Sequence, residues 1–354
     1  MFDLGPFTRP EWRGAPRAHK RDYRGVTNLA SNELELPELQ AEFAVFCERL
    51  AALPAARYPY WPAARAAFAA AGGLAEDHVL LCAGSDDAIK MVAFCLLPRR
   101  QLIASAPLYA SYADYAGLAG GDVVNESYVG HPADVHLAAL RARLDGLAPS
   151  VVVVANPNGF TGAAIEPAAL DALAGDLRRG GHVLVIDEAY ASFAELDHAA
   201  LVHHGNVIVI RSFSKSHGAA GLRLAAVIAA APLIELLERW RPSNGLTSPS
   251  LAFLAFSLER PAAVRAAQHR VRARRDRVAA ALAAAGWRAL SSRTNFLCID
   301  AGARAIRDAA VARLAAAGIA TRALEDGALA TCLRMAITTD DAMDRALAAL
   351  GARP

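Results

Sequence analysis

The stretch NVIVIRSFSKSHGAAGLRLA, from Asn206 to Ala225, sets a single lysine in a Ser- and Gly-rich turn between two apolar runs. The first run is as long as a strand and lacks alternating polar residues, which is typical of a strand buried on both faces. Among 37 Lys and Arg residues, only Lys20, Lys90 and Lys215 are lysines. Arginine provides charge and hydrogen bonds but cannot lose its proton and act as an amine nucleophile. Lys215 is therefore either a chance surface residue or a reactive amine, and its neighbours must distinguish the two.

Buried strands of the same kind recur between residues 65 and 245, separated by Ala- and Leu-rich helical stretches. Besides NVIVIR, they read HVLLCA, QLIASA, SVVVVA, HVLVID and LAAVIAA. The alternation predicts an α/β fold with a mostly parallel sheet and helices on both faces. Binding sites of such sheets lie at the carboxyl ends of the strands. We therefore expect AGSDD, APLY, NPNGFTG, DEAY and SFSK to meet at one edge of the sheet.

Composition divides the chain into three predicted parts. Residues 1–40 are rich in proline and are expected to form an N-terminal arm rather than a core element. Residues 41–245 form the predicted large α/β domain, which ends in the Pro-, Ser- and Gly-containing break RWRPSNGLTSPS. Residues 246–354 contain a long helical region and the strand-like segments NFLCID, GIATRA and CLRMAI, which predict a smaller α+β domain.

Charge and hydropathy exclude several classes of protein. The chain has 354 residues, 55% of them hydrophobic, and a net charge of +2, which gives no reason to expect nucleic acid or an anionic membrane as partner. The run RVRARRDR, from Arg270 to Arg277, is interpreted as a solvated helix face, with a polyanion site as the alternative. Five scattered cysteines without a CxxC pair argue against a disulfide scaffold or a zinc site. Neither a signal peptide nor a membrane-spanning run is recognisable, so we expect a cytoplasmic protein.

Polar residues follow several of the predicted strands. Asp187 ends a buried strand and Tyr190 follows it, although an acid at this position could equally cap a helix. Gly84, Ser85 and Asp86 lie between a strand and a helix, where free backbone N–H groups and the helix dipole favour a phosphate. This junction alone could also be no more than a capped helix.

The turn around Lys215 adds the remaining groups. Ser212, Ser214 and Arg223 can hold a phosphate while the lysine amine lies beside it. Pyridoxal phosphate needs all of these groups at once: an amine for its aldehyde, a carboxylate for its ring nitrogen and a cradle for its phosphate. The sequence therefore predicts pyridoxal phosphate as cofactor and Lys215 as its amine.

The motifs extend over nearly the whole chain. They are LASNE (Leu29 to Glu33), RYP, AGSDDAI, APLYASY, NPNGFTG, DEAY, SFSKSHGAAGLR, NFLCID and CLRMAI. With these motifs in this order, the chain resembles the fold-type I pyridoxal-phosphate aminotransferases of classes I and II, and within them the histidinol-phosphate aminotransferases. The resemblance implies a large domain with a mostly parallel sheet and a smaller α+β C-terminal domain.

The resemblance implies roles for residues around the cofactor. Lys215 resembles the lysine that forms the Schiff base, and Asp187 the partner of the pyridine nitrogen. Tyr190 resembles the phenol that bonds the ring hydroxyl, and Tyr109 the aromatic residue stacked on the ring. The residues that resemble the phosphate cradle are Ser85 and Asp86, through backbone N–H groups, and Ser212, Ser214 and Arg223.

The resemblance also implies substrate contacts and a partner subunit. Arg334 matches the arginine that holds the substrate carboxylate, and Asn32 is expected beside the substrate. Arg322 matches a second anion-binding arginine, with an ordinary surface role as the alternative. Tyr58 matches a tyrosine that reaches the phosphate of the neighbouring subunit's cofactor, which predicts a homodimer.

The sequence departs from the family pattern at several positions. Gly159 replaces the asparagine that usually meets the ring hydroxyl, and Phe160 replaces a proline. Asn158 could make that contact instead, or the tyrosine of DEAY could make it alone. Leu34 replaces a polar residue near the substrate, and Thr338 replaces a glycine. These changes bear on the substrate more than on the cofactor.

Two reactions remain open for this scaffold. The first is transfer of an amino group between an amino acid or amino-alcohol phosphate and a 2-oxo acid, which the arginine clamp favours. The second is decarboxylation or a lyase reaction of the threonine-phosphate decarboxylase type. The pocket selects the bond that breaks, and the motifs around Lys215 do not distinguish the two.

Overall fold

The computed structural model of this chain describes residues 22–127, 133–325 and 327–353, so residues 1–21 of the predicted arm lie outside the described residues. The described strands are β1 (Thr27–Asn28), β2 (Val79–Cys82), β3 (Gln101–Ala106), β4 (Asp122–Ser127), β5 (Val151–Ala155), β6 (Val183–Asp187), β7 (Val207–Ser212), β8 (Ala225–Ala229), β9 (Arg288–Ala289), β10 (Phe296–Asp300), β11 (Ile319–Ala320), β12 (Arg322–Ala323) and β13 (Cys332–Ala336). The described α-helices are α1 (Pro37–Leu50), α2 (Trp61–Ala71), α3 (Ser85–Leu96), α4 (Ala110–Leu118), α5 (Ala133–Leu144), α6 (Pro167–Arg179), α7 (Phe213–Ser216), α8 (Ala231–Glu238), α9 (Ser248–Glu259), α10 (Pro261–Ala284), α11 (Arg304–Ala316) and α12 (Asp340–Ala349).

A seven-stranded sheet in the order β2-β8-β7-β6-β5-β3-β4 forms the centre of the molecule. Neighbouring strands are parallel except for β8, which runs antiparallel to both β7 and β2. The predicted α/β fold with a mostly parallel sheet is confirmed, and all six predicted strands are present. Strand β4 was not predicted, because its sequence DVVNES is polar and half-exposed at the sheet edge and lacks the apolar run of the central strands.

Alternating residues of the central strands enter different hydrophobic cores. Val207 and Val209 of β7 pack into the core on one face of the sheet, whereas Ile208 and Ile210 pack into the core on the other face. All four are fully buried, and burying a side chain of this size contributes roughly 1.5–3 kcal/mol. The continuous apolar sequence of β7 is therefore a consequence of helices covering both faces.

Helix α6 is one of the helices that cover the sheet, and its sequence explains where it begins, which side it buries and where it ends. Proline stands in its first turn, where the missing N–H costs no hydrogen bond. Leu170, Leu173, Ala174 and Leu177 follow at helical spacing and are buried against the sheet. Arg178 and Arg179 occupy the last turn, where cations favour the helix dipole.

A second, four-stranded antiparallel sheet has the order β12-β13-β10-β9 and packs with α10, α11 and α12. The parallel pair of β1 with β11 brings the N-terminal segment to this part of the molecule. Leu29, Leu34 and Leu36 are buried in the same core. The expectation that this segment supplies no core element is therefore wrong for its described residues, since proline-rich sequence does not prevent single leucines from packing.

The core of the large sheet extends beyond residue 245. Helix α9 packs Leu251, Phe253 and Leu254 into the core of the large sheet, although these residues lie after residue 245. The division into 1–40, 41–245 and 246–354 stays a prediction about domain boundaries. Within the described part of the chain, no helix combines the length and the apolar character needed to cross a bilayer.

Candidate active site

The carboxyl ends of five strands of the large sheet meet at one edge, as predicted. β6 ends at Asp187, and β7 ends at Ser212. β5 leads into the NPNG turn, β3 into the segment before Tyr109, and β2 into the junction at Gly84. Because β8 is antiparallel to both of its neighbours, β2 points in the same direction as β7.

Lys215 lies on the one-turn helix α7. Ser212 caps this helix through its Oγ atom, which accepts a hydrogen bond from the N–H of Ser214 at 3.2 Å. Lys215 Nζ donates to the carbonyl oxygen of Ser31 at 2.7 Å. Burial lowers the pKa of Lys215 to about 8; Arg334 and Arg223 lower it too, whereas Glu33 raises it. The amine can therefore exchange a proton near neutral pH.

Asp187 is buried at the end of β6. Its Oδ2 atom accepts a hydrogen bond from the Tyr112 hydroxyl at 3.0 Å, and its Oδ1 atom accepts one from the N–H of Ala189 at 2.9 Å. Burial raises the pKa of Asp187, while both hydrogen bonds lower it. The two hydrogen bonds therefore hold the carboxylate in one orientation. Burial of its charge costs free energy, and a cationic partner would offset that cost.

Tyr112 is a site residue that the motifs did not single out. It follows Tyr109 by three residues in APLYASY and lies in the first turn of α4, almost fully buried. A buried tyrosine usually needs a partner for its hydroxyl, so an aromatic residue one helical turn after the predicted stacking residue was the available signal.

Tyr190 lies between Asn32 and Phe296 of β10. Asn32 Nδ2 donates to the Tyr190 hydroxyl at 2.9 Å, and the Tyr190 ring meets Phe296 edge to face at 5.3 Å between centroids. A Cβ atom on Gly159 would lie 3.1 Å from Tyr190 Cε2. Glycine at this position, a departure from the family pattern, therefore leaves room for the ring.

The Ala30–Asn32 segment joins three of the predicted functional residues. Arg334 bonds the carbonyl oxygen of Ala30, Lys215 bonds that of Ser31, and Tyr190 bonds the side chain of Asn32. LASNE is one of the predicted motifs, but nothing in its sequence indicates that its backbone carbonyls hold the arginine and the lysine.

The junction before α3 has the geometry of an anion cradle. Gly84 has φ +86°, and a Cβ atom there would overlap the guanidinium of Arg223. Arg223 Nη2 donates to Asp86 Oδ2 at 3.1 Å, and the Ser111 hydroxyl donates to Asp86 Oδ1 at the same distance. The first N–H groups of a helix and a guanidinium together attract a phosphate. Ser85 begins this helix.

Arg334 is buried on β13 and meets no carboxylate of the described residues. Nη1 donates to the carbonyl oxygen of Gly159 at 2.7 Å and Nη2 to that of Ala30 at 3.0 Å, while Nε has no partner among the described residues. The rings of Phe160 and Phe296 lie 5.5 and 5.3 Å from its Cζ atom. Burial lowers the pKa of Arg334, and so does Arg322, its direct cross-strand neighbour.

Three predicted residues have less direct support. Tyr58 and Tyr109 are 79% and 50% exposed. Asn158 Nδ2 donates to the carbonyl oxygen of Pro107, and its Oδ1 atom accepts from the N–H groups of Phe160 and Thr161. Both ends of this amide hold the loop. The cofactor contacts of these residues stay predictions.

The arrangement fits pyridoxal phosphate. Lys215 is an amine with a lowered pKa, and Asp187 is a buried carboxylate without a cationic side-chain partner among the described residues. Arg223 and the start of α3 form an anion cradle, and Asp86 couples electrostatically to both Lys215 and Asp187. These are the amine, acid and anion-binding groups that the cofactor requires.

Comparison with known proteins supports this interpretation. A family model described as aminotransferase class I and II matches residues 24–350. The chain is 33% identical over 302 residues to a histidinol-phosphate aminotransferase of Xanthomonas campestris pv. campestris, and the match covers 81% of each chain.

Solved structures share the fold. A histidinol-phosphate aminotransferase from Sinorhizobium meliloti in complex with pyridoxal-5'-phosphate superposes with a TM-score of 0.85 at 22% identity, covering 97% of this chain and 96% of that one. An L-threonine-O-3-phosphate decarboxylase from Porphyromonas gingivalis superposes with a TM-score of 0.75 at 17% identity, covering 92% and 98%. At these identities the likeness concerns the fold.

The family match spans almost the whole chain, and the relative from Xanthomonas exceeds 30% identity over four fifths of it. The predicted family and cofactor are confirmed: the chain belongs to the class I and II aminotransferases and is a pyridoxal-phosphate-dependent enzyme of that family.

Proposed function

We propose that this aminotransferase moves an amino group from an amino-alcohol phosphate similar to histidinol phosphate, or from an α-amino acid, to a 2-oxo acid. The observation that carries the proposal is Arg334, a buried guanidinium whose described partners are two carbonyl oxygens and whose Nε is unpartnered. Removing a guanidinium from water is costly unless an anion joins it, so a carboxylate or phosphate from the substrate is its natural partner.

Residues of this chain would hold the cofactor in the following way. Asp187 would pair with the ring nitrogen, and Tyr190 with the ring hydroxyl. Tyr109 would stack on the ring, and Tyr58 of a second subunit would reach the phosphate. The remaining phosphate contacts would come from Ser85, Asp86, Ser212, Ser214 and Arg223. When bound, pyridoxal phosphate supplies a ring that accepts the electron pair left behind by a proton leaving the substrate.

Lys215 would carry the proton in this reaction. With a pKa of about 8, roughly a tenth of the amine is unprotonated at pH 7, against well under a hundredth for an unperturbed lysine, and the protonated remainder can return a proton. The carbonyl oxygen of Ser31 lies 2.7 Å from Nζ and orients the amine. We propose Lys215 as both general base and general acid.

Two arginines would sort substrates by charge. Arg334 would bind the carboxylate of an amino acid or 2-oxo acid as a fork, and Asn32 would hold Tyr190 beside it. Arg322 is exposed and faces Arg334 across the β12–β13 pair, so it would add affinity for a phosphate or a second carboxylate. The relative from Xanthomonas is named for a phosphate-bearing amino substrate, which agrees with this pair.

A homodimer in the cytoplasm completes the proposal. Tyr58 is 79% exposed, and its predicted contact is with the cofactor phosphate of a neighbouring subunit. The domain boundaries at residues 40 and 245 belong to the same proposal, with the small domain supplying Arg322 and Arg334.

The test is a comparison of half-reactions with the purified enzyme. Histidinol phosphate, glutamate and alanine are each added without an acceptor, and the absorbance of the cofactor is followed while the deaminated product is identified by mass spectrometry. We expect histidinol phosphate to give the highest kcat/KM, and Arg322→Ala to reduce it for histidinol phosphate and glutamate but not for alanine. Equal losses with all three donors would contradict the role of Arg322.

The same assay tests the decarboxylase alternative. Threonine phosphate carrying a labelled carboxyl group is incubated with the enzyme, and released CO₂ is measured together with the absorbance of the cofactor. If the enzyme transfers the amino group, the absorbance of the cofactor should change without release of labelled CO₂, because the substrate carboxylate stays bound to Arg334. Release of CO₂ at a rate above that of transfer would replace the proposed function with decarboxylation.

A further inference from the structure

A second cluster of ligand-bearing side chains lies away from the candidate active site. Asp171 belongs to α6, whereas His203 and His204 end a short 3-10 helix, Ala199–His204, that precedes β7. Strand β7 enters the sheet at Val207 and leaves it beside Lys215, so the cluster lies at the opposite end of this strand.

The three side chains converge. Each offers one ligand atom, and these three atoms lie within 4.8 Å of one another. His204 Nε2 is 2.9 Å from Asp171 Oδ1, and the rings of His203 and His204 are 4.1 Å apart between centroids. Two imidazoles and a carboxylate form a ligand set that zinc sites use.

The hydrogen bond of His203 gives an independent indication. Its Nδ1 atom lies 2.7 Å from the carbonyl oxygen of Ala200, and since a carbonyl only accepts, Nδ1 carries the proton. Nε2 then keeps its lone pair, which no group in the described part of the chain engages, in an exposed side chain. A ring nitrogen that donates to a backbone carbonyl while the other nitrogen is free is the arrangement by which proteins orient metal-binding histidines.

We propose that Asp171, His203 and His204 bind one divalent transition-metal ion of the zinc class, with water completing the coordination. Zinc bonds nitrogen and oxygen at about 2.0–2.2 Å, so two ligand atoms of a tetrahedral site are roughly 3.3 Å apart. The ion replaces the proton shared by His204 and Asp171, whose atoms need to separate by only a few tenths of an ångström. The imidazole ligands favour zinc, nickel or copper over magnesium or calcium.

Such an ion would clip α6 to the segment before β7. It stabilises the folded chain because the three ligands come together only when α6 packs beside this segment. It leaves the chemistry at Lys215 unchanged, since the cluster lies at the far end of the strand. The proposal is independent of the substrate and of the reaction.

The experiment is a titration of the untagged holoenzyme with ZnCl₂ by isothermal calorimetry, paired with thermal unfolding. The background carries Cys47→Ser, because Cys47 is an exposed thiol that could also bind zinc. Variants are Asp171→Asn and His203→Asn with His204→Asn, and the matched control is His269→Asn, an exposed histidine of α10. Absorbance of the bound cofactor shows that each variant is folded.

We expect one zinc per chain, a Tm that rises with zinc, and affinity that falls by about tenfold or more in both variants but not in the control. The absorbance of the cofactor should not change when zinc binds. Absence of a zinc-dependent rise in Tm in the background protein would overturn the proposal. So would equal affinity in the background protein and the double histidine variant, which would place the zinc elsewhere.

Discussion

Two arginines of the candidate active site, Arg223 and Arg334, occupy opposite environments. The Arg223 side chain is 45% exposed and pairs with Asp86, whereas Arg334 is 8% exposed and meets backbone carbonyl oxygens and two aromatic rings. An exposed guanidinium with a carboxylate partner is satisfied by the protein alone. A buried one without such a partner retains a strong unmet attraction for an anion.

The difference suggests how the site distinguishes a cofactor that stays bound from a substrate that binds and leaves. Arg223 would share an anion site with the N–H groups at the start of α3, so several weak contacts would act together there. Arg334 would bind its anion almost alone, in a place where water does not compete. We expect substitutions at Arg334 to lower kcat/KM and substitutions at Arg223 to weaken binding of the cofactor.

The largest effect is expected at Lys215, whose pKa is lowered by both Arg334 and Arg223. Lys215→Arg keeps the charge but removes the titratable amine, so turnover should fall by about a thousandfold or more. Borohydride should then no longer fix the cofactor to the chain, as judged by peptide mass spectrometry.

Lys90→Arg is the matched control, because Lys90 is exposed on α3. In the unsubstituted protein, reloading of cofactor-free enzyme should speed up as the pH rises through about 8, where half of the amine is unprotonated, and level off only above that pH, since only the unprotonated amine reacts. Label on Lys90, or a reloading rate that ignores pH across this range, would contradict the assignment.

The second largest effect is expected at Arg334. Arg334→Lys replaces a fork by a point charge, and kcat/KM for carboxylate substrates should drop by at least about tenfold, which corresponds to roughly 1.4 kcal/mol. The Kd of pyridoxal phosphate should stay the same. A loss of cofactor without a loss in kcat/KM at saturating cofactor would reverse the roles assigned to the two arginines.

A third test compares the two carboxylates of the site, Asp187 and Asp86. Tyr112→Phe removes a buried hydrogen bond to Asp187, and activity near neutral pH should fall by about fivefold. This bond lowers the pKa of Asp187, so its loss raises that pKa, and the acid limb of kcat/KM against pH should move to higher pH.

Ser111→Ala is the matched control, because it removes a hydrogen bond of similar length from the half-exposed Asp86. We expect little change in its pH profile, since water can replace the lost donor. An identical shift in both variants would show that burial does not distinguish the two carboxylates.

The smallest effect is expected at Arg223. Arg223→Lys retains a cation beside Gly84, and partly exposed ion pairs contribute about 0–1 kcal/mol, so the Kd of pyridoxal phosphate should rise by only a few-fold. The rise should shrink as the salt concentration increases, because salt screens an exposed charge pair, and equilibrium dialysis at two ionic strengths measures this change. A loss of affinity far beyond a few-fold would show that this exposed arginine dominates the cradle.

The sheet edge was predictable because its strands are apolar on both faces and polar residues follow them directly, as with Asp187 and Ser212. Tyr112 and the carbonyl oxygens of Ala30 and Ser31 were not predictable in the same way. A backbone carbonyl has no sequence signature, and a tyrosine that orients a carboxylate looks like any core aromatic residue. Strand β4 was missed for a related reason, since a polar edge strand carries no apolar run.

The Ala30–Asn32 segment has a consequence for how the chain acquires activity. Its contacts with Tyr190, Lys215 and Arg334 span 158, 184 and 304 residues of sequence. Contacts of such long range form late, because the loop they close must first be ordered. A ribosome releases this segment before the strands of the large sheet, and it releases Arg334 after them. The nascent chain can therefore build its large sheet while it is still inert, and it becomes an enzyme only when β13 joins the Ala30–Asn32 segment.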